Sequence, residues 1–311
     1  MKFCVPEAFM LEFKTPDIAD AAAYRAAFAA ADRCSCEYCF GNVMTWTMSF
    51  QSQIALRDGF VFYKGGQRSM TYLMPVGGKN TAGALEVLFE DIRANGKPFH
   101  LAALSEKECK TYFSDEKLFC IRRTPDTDDF VYRAEDLAEL KGGKYHAKRN
   151  HITRFTADHP DWQYEKLTSE HIALCKQISD AWFLEKHGSF DHAEYEVVQR
   201  SLQYFDALQL EGGILFADGK AVAFTIGEKL TADTFCTHLE KCAPDYRGAY
   251  PVINREFAKQ LQSRFAYINR EDCAGDEGLR KAKQSYKPAF MVEKYSVYPT
   301  DVLYDRLGIH I

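Results

Sequence analysis

Long apolar runs and signal-peptide features are missing from this sequence of 311 residues. No stretch reaches the roughly 18 continuous apolar residues that a membrane-spanning helix needs, and the Ala-rich run over 18–31 is interrupted by Asp20 and Arg25. The segment Met1–Glu7 places a proline and an acid where a signal peptide would have its apolar core. We therefore expect a cytoplasmic protein with no transmembrane segment.

An excess of positive charge is also missing. The sequence has 39 basic and 44 acidic residues and a net charge of −5, so its overall charge does not attract nucleic acid or anionic lipid. No known DNA-binding motif is present, which argues against duplex DNA as a partner. Any binding to a phosphate-rich ligand must therefore come from a local basic patch.

Glycine and proline are scarce, at 19 and 10 residues, while 46% of the residues are hydrophobic. This composition excludes a disordered, collagen-like or low-complexity chain. The length is about twice the usual value of roughly 150 residues for one domain. The chain is therefore long enough for two lobes or for one large α/β domain.

Cysteine is not scarce, but its ten positions are scattered and lack the dense pattern of a disulfide-rich secreted domain. We expect reduced thiols and no disulfides. The one cluster is Cys34-Ser-Cys36-Glu-Tyr-Cys39. A closed zinc site needs four ligands and usually a second spaced pair, which the neighbouring sequence does not supply. The expectation is therefore an inward-packed turn, with no metal and no tightly bound cofactor.

Two Asp-Gly turns reveal an internal repeat. Asp58-Gly59 and Asp218-Gly219 each separate two apolar segments, and Asp-Gly fits the positive φ angles of a type I′ hairpin turn. Each hairpin is followed by a third strand, a Gly-containing loop, an amphipathic helix and a short apolar strand. This order predicts α/β architecture with mixed sheets in two similar lobes. The predicted division is residues 1–140, a basic segment over 141–160, and residues 161–311.

The predicted strand Thr234–Glu240 runs into Pro244-Asp-Tyr-Arg247-Gly248-Ala249-Tyr250 and then a helix. Gly248 would let the backbone approach a ligand, and the amides that open the helix point towards an anion. The loop resembles the pyrophosphate loop of the GNAT acyltransferase fold. It predicts donor binding by Arg247, Gly248, Ala249 and Tyr250, and the alternative is a plain strand-to-helix turn.

A local basic patch lies between the predicted lobes. The segment Lys141–Arg154 has five Lys or Arg, two His and no acid. A second group of cations follows the strand near residue 268. We expect these segments to converge on a cleft between the lobes and bind a phosphate-bearing substrate, through Lys144, Lys148, Arg149, Arg270 and Lys283. The alternative is an ordinary solvated helix face.

Three well-separated motifs point to a family. They are Gly142-Gly-Lys-Tyr-His-Ala-Lys-Arg-Asn150, Asn269-Arg-Glu-Asp272 and Gly278-Leu-Arg-Lys-Ala-Lys-Gln-Ser-Tyr-Lys-Pro288. Together they resemble the phosphatidylglycerol lysyltransferase C-terminal family, and Cys36–Trp46 resembles the N-terminal signature of its soluble branch. The resemblance implies a tandem GNAT fold akin to the Fem peptidyltransferases. It also implies aminoacyl transfer from aminoacyl-tRNA to a lipid, although this sequence lacks the membrane region of the lipid-modifying members.

The leading hypothesis is an acyl or aminoacyl transferase. The donor is left open between aminoacyl-tRNA and acyl-CoA, and so are the acceptor, a peripheral lipid or a small molecule, and the oligomeric state. The alternative is a catalytically degenerate module that recognises a tRNA end or an acidic metabolite. Strand periodicity places His238 and Glu240 on one face as candidate bases, each with a structural role as its alternative. The other catalytic candidates are Asp272 and Tyr286, and Tyr286 resembles the tyrosine that protonates the leaving group in some GNAT enzymes.

Overall fold

A computed structural model of the chain describes residues 11–29, 31 and 33–310. The segment Met1–Glu7, discussed above for its lack of signal-peptide features, lies outside the described residues. The chain divides into two compact units. Unit 1 consists of Met1–Arg33, Trp46–Asp128 and Glu293–Ile311, and unit 2 consists of Cys34–Thr45 and Asp129–Val292.

Unit 1 contains a seven-stranded mixed sheet whose main path follows the order β1-β2-β3-β5-β14-β6, with β4 paired to β2. The β3 and β5 strands are parallel, and the other pairs are antiparallel. The strands are β1 (Gln53–Arg57), β2 (Phe60–Gly65), β3 (Met70–Leu73), β4 (Val76–Gly77), β5 (Phe99–Leu104), β6 (Phe119–Arg123) and β14 (Tyr295–Pro299).

Unit 2 contains a second seven-stranded sheet in the order β8-β9-β10-β11-β12-β7-β13. The β11 and β12 strands are parallel, and the other pairs are antiparallel. The strands are β7 (Asp129–Arg133), β8 (Gln163–Lys166), β9 (Glu211–Ala217), β10 (Lys220–Lys229), β11 (Thr234–Cys242), β12 (Tyr267–Asn269) and β13 (Phe290–Val292).

The two sheets repeat one pattern of strands, as the Asp-Gly turns predict. Asp58-Gly59 joins β1 to β2, and Asp218-Gly219 joins β9 to β10. In both sheets the hairpin is followed by an antiparallel third strand, a parallel fourth strand and two further antiparallel strands. The prediction of mixed α/β architecture in two similar lobes is confirmed.

The compact units do not follow the predicted boundaries at 140 and 160. The strand β7 pairs in the unit 2 sheet although it precedes residue 140, and β14 pairs in the unit 1 sheet although it follows residue 161. Counted from the first strand of the hairpin, each strand occupies the fifth place of a sheet that is built mainly from the other half of the chain. The basic segment is part of unit 2 and not a separate linker.

Helices cover the apolar faces of both sheets. In unit 1 they are α1 (Ala21–Ala29), α3 (Thr47–Phe50), α4 (Thr81–Asn95), α5 (Glu106–Tyr112) and α12 (Asp301–Leu307). In unit 2 they are α2 (Phe40–Thr45), α6 (Ala134–Glu139), α7 (His146–Asp158), α8 (Ile172–His187), α9 (Ala193–Gln203), α10 (Ala249–Leu261) and α11 (Glu277–Gln284). None of the helices in the described residues is long and apolar enough to cross a membrane.

The unit 2 core positions the residues discussed below. Helix α10 packs on the sheet through Val252, Ile253 and Phe257, which are buried together with Phe235 of β11. These residues recur at the i, i+1 and i+5 spacing of one helix face, which fixes the rotation of α10 and directs Asn254 towards β11. The nine described cysteines all carry free thiols.

Candidate active site

The strand β11 carries both predicted bases, but a β-bulge gives them different partners. The ladder pairs Ile226 with Leu239 and Gly227 with Thr237, so His238 has no partner in the ladder. The imidazole of His238 contacts Glu228, whereas the Glu240 carboxylate binds Arg270. The period-2 argument that put His238 and Glu240 on one working face does not hold, because the extra residue interrupts the alternation.

Two cations lie beside the Glu240 carboxylate. The guanidinium of Arg270 forms a buried ion pair with Glu240, and the Nδ2 of Asn254 donates to Glu240 Oε1 at 3.2 Å. The Nζ of Lys148 lies 3.8 Å from the centroid of the Tyr286 ring, and the Arg270 guanidinium carbon lies 4.9 Å from the same centroid. We call Lys148 and Arg270 the cation pair. Helix α7 supplies one member, and the end of β12 supplies the other.

The cation pair has more positive charge than its carboxylate can neutralise. Glu240 can balance only one of the two cations, and burial with the charge of Arg270 lowers the pKa of Lys148 to about 8 despite the opposing effect of Glu240. Within the described part of the chain, the buried Nε and Nη1 atoms of Arg270 find no hydrogen-bond partner. Buried donors are almost always paired in folded proteins. The arrangement therefore suits an anionic ligand.

Anion binding at the cation pair is expected to weaken as the pH rises through about 8, because Lys148 loses its charge there. The expected effect is roughly a tenfold loss of affinity per pH unit above the pKa until the Arg270 contribution alone remains. Calorimetric titration with sulfate between pH 6 and 10 would measure it. The Lys148→Met variant should bind weakly at every pH, and Lys144→Met should behave as wild type. A wild-type midpoint near pH 10.5 would contradict the expectation.

Three of the five predicted phosphate ligands have protein partners instead. Lys144 is exposed and pairs with Asp136 at 3.1 Å. The Nη1 of Arg149 donates to the carbonyls of Leu140 at 2.5 Å and Gly142 at 2.7 Å, which holds the turn before α7. Lys283 is buried and donates to carbonyls of the loop after β12. Of the predicted set, only Lys148 and Arg270 place their cationic groups over the same Tyr286 ring in the described residues.

The predicted donor loop is packed inside unit 2 at its glycine. Gly248 has a φ of 93° and precedes α10 as its N-cap. A methyl group at Gly248 would lie 3.0 Å from the carbonyl oxygen of His151 on α7. The amide of Ala249 donates to Tyr246 O at 3.2 Å. Gly248 therefore permits close packing against α7, where the sequence analysis expected close approach of a ligand.

The Gly248→Ala variant is expected to lose about 2–3 kcal/mol of unfolding free energy, from a left-handed backbone and from crowding against α7. Gly219→Ala is the matched control, since Gly219 has a φ of 71° and nothing within 4 Å of an added methyl group. It should lose about 1 kcal/mol, the backbone cost alone. Urea unfolding of both variants gives the comparison. Equal losses would show that α7 does not restrict the position.

A cavity of about 470 Å³ lies beside this loop. Arg247 and Tyr250 line it, together with Trp182, Lys186 and Cys242. Cys242 and Glu240 are two residues apart on β11, so the part of the cavity wall formed by Cys242 lies about 6–7 Å along the strand from Glu240. The cavity therefore offers aromatic and cationic side chains next to the candidate anion site.

The second predicted base, His238, belongs to a separate buried cluster. Its Nδ1 lies 2.7 Å from Glu271 Oε1 and its Nε2 lies 3.1 Å from Glu228 Oε1. The Nδ2 of Asn42 donates to the same Glu271 oxygen at 2.8 Å. The Asp272 carboxylate accepts from the amide of Ala274 at 2.8 Å and caps the local turn.

A sequence model described as "Phosphatidylglycerol lysyltransferase, C-terminal" matches residues 28–298. The chain belongs to this family. The match covers both units, including the basic segment, the β12 end and helix α11 that carried the resemblance.

Solved structures show the same fold. A conserved protein of unknown function from Bacteroides thetaiotaomicron is 34% identical, with a TM-score of 0.88 over 94% of this chain and 100% of that one. The L-PGS structure from Bacillus licheniformis is 14% identical, with a TM-score of 0.66 over 96% and 99%. FemX is 9% identical, with a TM-score of 0.58 over 95% and 99%. The fold is therefore that of the tandem GNAT and Fem-like acyltransferases.

A curated relative is also found by sequence. An uncharacterized protein of Mycoplasmoides gallisepticum is 26% identical over 181 residues, which are 54% of this chain. The matched region spans only 55% of that protein.

This member of the phosphatidylglycerol lysyltransferase C-terminal family also has site residues that the sequence analysis missed. Asn254 is buried on the apolar face of α10, and its Oδ1 has no hydrogen-bond partner among the described residues. A lone amide within an apolar helix stripe was the available signal. Trp182 gave no such signal, because an aromatic in an amphipathic helix is ordinarily a core residue.

Proposed function

We propose that this protein transfers an aminoacyl group from the 3′ end of a tRNA to an amine or hydroxyl acceptor, at the cation pair in unit 2. The family to which it belongs is named for transfer of a lysyl group to phosphatidylglycerol. The acceptor here is proposed to be a small molecule or a lipid presented at a membrane surface. A donor of this kind places the reaction in the cytoplasm.

The observation that carries the proposal is the half-buried cation pair. Arg270 pairs with Glu240, Lys148 lies over the same Tyr286 ring as Arg270, and two guanidinium nitrogens of Arg270 have no partner in the described residues. A phosphate of the tRNA end would satisfy these donors through charge-assisted hydrogen bonds. The same cations would stabilise negative charge on the carbonyl oxygen during acyl transfer.

The loop geometry favours aminoacyl-tRNA over coenzyme A as the donor. A coenzyme A pyrophosphate needs open amides at the start of α10, but Gly248 packs against α7 and the Ala249 amide is bonded internally. The neighbouring cavity instead presents the indole of Trp182 and the ring of Tyr250. Aromatic faces of this kind suit stacking of a nucleotide base.

Tyr286 and Glu240 have roles in the proposed reaction. The acceptor nitrogen or oxygen attacks the ester carbonyl, the ester C–O bond breaks, and the 3′ oxygen of the tRNA leaves with a proton. Burial raises the pKa of Tyr286, so its hydroxyl stays protonated and can donate to that oxygen. Glu240 orients Arg270 through their ion pair. The proton lost by the acceptor passes to the Tyr286 oxygen, which restores its hydroxyl.

The proposal is tested by turnover with charged tRNA. Purified protein is incubated with radiolabelled aminoacyl-tRNAs and, in separate arms, phosphatidylglycerol vesicles or a mixture of small amines. Accelerated loss of the label from tRNA with formation of a labelled acceptor is expected. Acyl transfer from acetyl-CoA with none from tRNA would replace the donor assignment. Tight tRNA binding without turnover would support the non-catalytic alternative and overturn the proposal.

Replacing Trp182 with alanine is expected to raise the KM for aminoacyl-tRNA roughly tenfold or more, because base stacking contributes about 1–3 kcal/mol. The kcat should change little, since the ring contacts that Trp182 makes in the described residues do not include the cation pair. Trp182→Phe keeps an aromatic face and should restore most of the affinity. Steady-state kinetics of the two variants measure the effect. A KM unchanged by Trp182→Ala would show that the cavity does not hold the base.

A further inference from the structure

The candidate ligands of a second, independent site meet on the buried side of β11. The Sγ atoms of Cys39 and Cys236 and an imidazole nitrogen of His238 all lie within 4.8 Å of one another. We call these three residues the thiol–imidazole cluster. Cys39 directly precedes α2, and the other two residues are Cys-x-His on β11. The second spaced pair that the sequence around Cys34–Cys39 did not supply is thus Cys236 and His238.

A fourth ligand has to come from a neighbouring carboxylate, which lies outside the group of three mutually close donor atoms. Glu228 lies directly opposite Cys236 in the β10–β11 ladder, and its Oε1 is 3.1 Å from His238 Nε2. Two ligands of a tetrahedral zinc ion at about 2.0–2.1 Å lie roughly 3.3 Å apart. The separation of the carboxylate oxygen from the imidazole nitrogen is close to this value.

The hydrogen-bond partners of His238 on its Nδ1 side are of the kind that usually orient a metal-bound histidine. The Nδ1 of His238 lies 2.7 Å from Glu271 Oε1, and Asn42 donates to that same oxygen. A carboxylate that holds the second nitrogen of a histidine fixes its tautomer and its ring orientation. With Glu271 on Nδ1, Nε2 is the nitrogen that faces Glu228, and Cys236 Sγ lies 3.6 Å from Glu271 Oε1.

Gly41 leaves the space that this arrangement needs. Its amide donates to Glu228 Oε1 at 2.6 Å. A methyl group at this position would clash with the Glu228 carboxylate and would lie 3.5 Å from His238 Nε2. The residue is in a helix, where a glycine is otherwise unfavourable by about 1 kcal/mol. The need for space beside the Glu228 carboxylate explains why a glycine stands at this position.

We propose that Cys39, Cys236, His238 and Glu228 bind a zinc ion in unit 2. Two thiolates, one imidazole and one carboxylate form a donor set for which zinc is well suited, and four protein ligands make a closed structural site. The side chains of His238 and Glu228 are only 6% and 4% exposed, so no position is left for a substrate. The ion would fasten the segment before α2 to β10 and β11. This role is independent of the proposed transferase activity.

The test begins with the metal alone. Full-length protein is reduced, freed of metal with a chelator and titrated with Zn²⁺ or Co²⁺. One ion per chain is expected, and the Co²⁺ form should show thiolate-to-metal charge transfer and the intense visible bands of tetrahedral coordination. Octahedral Co²⁺ spectra, or substoichiometric binding, would overturn the proposal. A Cys39–Cys236 disulfide in the native protein that gives no metal binding after reduction would also overturn it.

Variants assign the ligands. Cys39→Ala and Cys236→Ala should each weaken Zn²⁺ binding by more than about 100-fold, and Glu271→Gln by about 10–100-fold as an outer-sphere partner. Cys175→Ala removes a buried thiol elsewhere in unit 2 and should leave the affinity unchanged. Where a variant fails to fold, alkylation of the wild type decides. Zn²⁺ should protect Cys39 and Cys236 from the reagent, and equal alkylation with and without Zn²⁺ would overturn the proposal.

Discussion

Replacing Glu240 with glutamine is expected to lower the free energy of unfolding by about 3–5 kcal/mol, the usual cost of removing one partner of a buried ion pair. The carboxylate is buried, binds Arg270 and accepts a hydrogen bond from Asn254. Without the charge of Glu240, Lys148 and Arg270 repel each other in surroundings of low dielectric, and no carboxylate offsets the repulsion. The amide keeps the shape of the side chain but not its charge.

Two controls separate this charge effect from a packing effect. Glu211→Gln breaks the partly exposed pair with Arg264 in the same unit, and should change stability by no more than about 1 kcal/mol. The double variant Glu240→Gln with Lys148→Met removes the repulsion and should recover part of the loss. Urea unfolding of wild type, Glu240→Gln, Lys148→Met and the double variant gives the cycle, and Glu211→Gln is measured beside them. An equal loss of unfolding free energy for Glu240→Gln and Glu211→Gln would show that the charge of Glu240 does not offset repulsion between Lys148 and Arg270.

The Glu240→Gln substitution should also lower the pKa of Lys148. Burial and Arg270 already lower the pKa of its ammonium to about 8, and Glu240 opposes that shift. In the glutamine variant the pKa should fall below 8. Below its pKa in the folded protein a buried lysine is charged, which costs the folded state free energy. Between that pKa and the ordinary value near 10.4, the unfolded chain binds more protons than the folded protein, so the free energy of unfolding rises with pH. The stability gain between pH 7 and 10 should therefore be larger in the variant than in the wild type.

The features that the sequence predicts well are local. Asp-Gly at 58–59 and 218–219 forms a hairpin turn through its own backbone preferences, so both hairpins and the repeat could be identified without a structure. The exchanged strands β7 and β14 could not be. Their apolar residues fit either sheet, and only the long-range pairing decides which sheet each strand joins.

The candidate site shows the same division. The sequence motifs identified Lys148, Arg270 and Tyr286, because a cation in a basic segment and a capped helix can be recognised in a sequence. These three side chains do come together in the structure. Whether a cation faces a ligand or a carbonyl depends on its partner, and Arg149 and Lys283 proved to bind carbonyls. The bulge at His238 had one signal outside β11, Gly227 in the middle of β10, since a glycine inside a strand often lies at a bulge.

Lys283 is the cation whose loss should most disturb the loop between β12 and α11. Its buried ammonium donates to the carbonyls of Arg270 at 2.6 Å and Glu271 at 3.3 Å, and also to that of Asp272. The loop turns through left-handed backbone at two non-glycine residues, with φ of 58° at Glu271 and 45° at Ala274. Three converging carbonyls bound by one ammonium make this turn stable.

The Lys283→Met variant is expected to lose about 3–5 kcal/mol of unfolding free energy, since each buried carbonyl left unpaired costs about 1–3 kcal/mol and the loop can relax only in part. Lys281→Met, on an exposed neighbour in α11, should stay within about 0.5 kcal/mol of wild type. Lys283→Arg should not rescue, because a planar guanidinium cannot direct its donors as a compact ammonium does. The imidazole resonances of His238 should shift with Lys283→Met, because Glu271 is carried by the loop. If urea unfolding of the two methionine variants is the same and these resonances stay in place, the ammonium does not hold the turn.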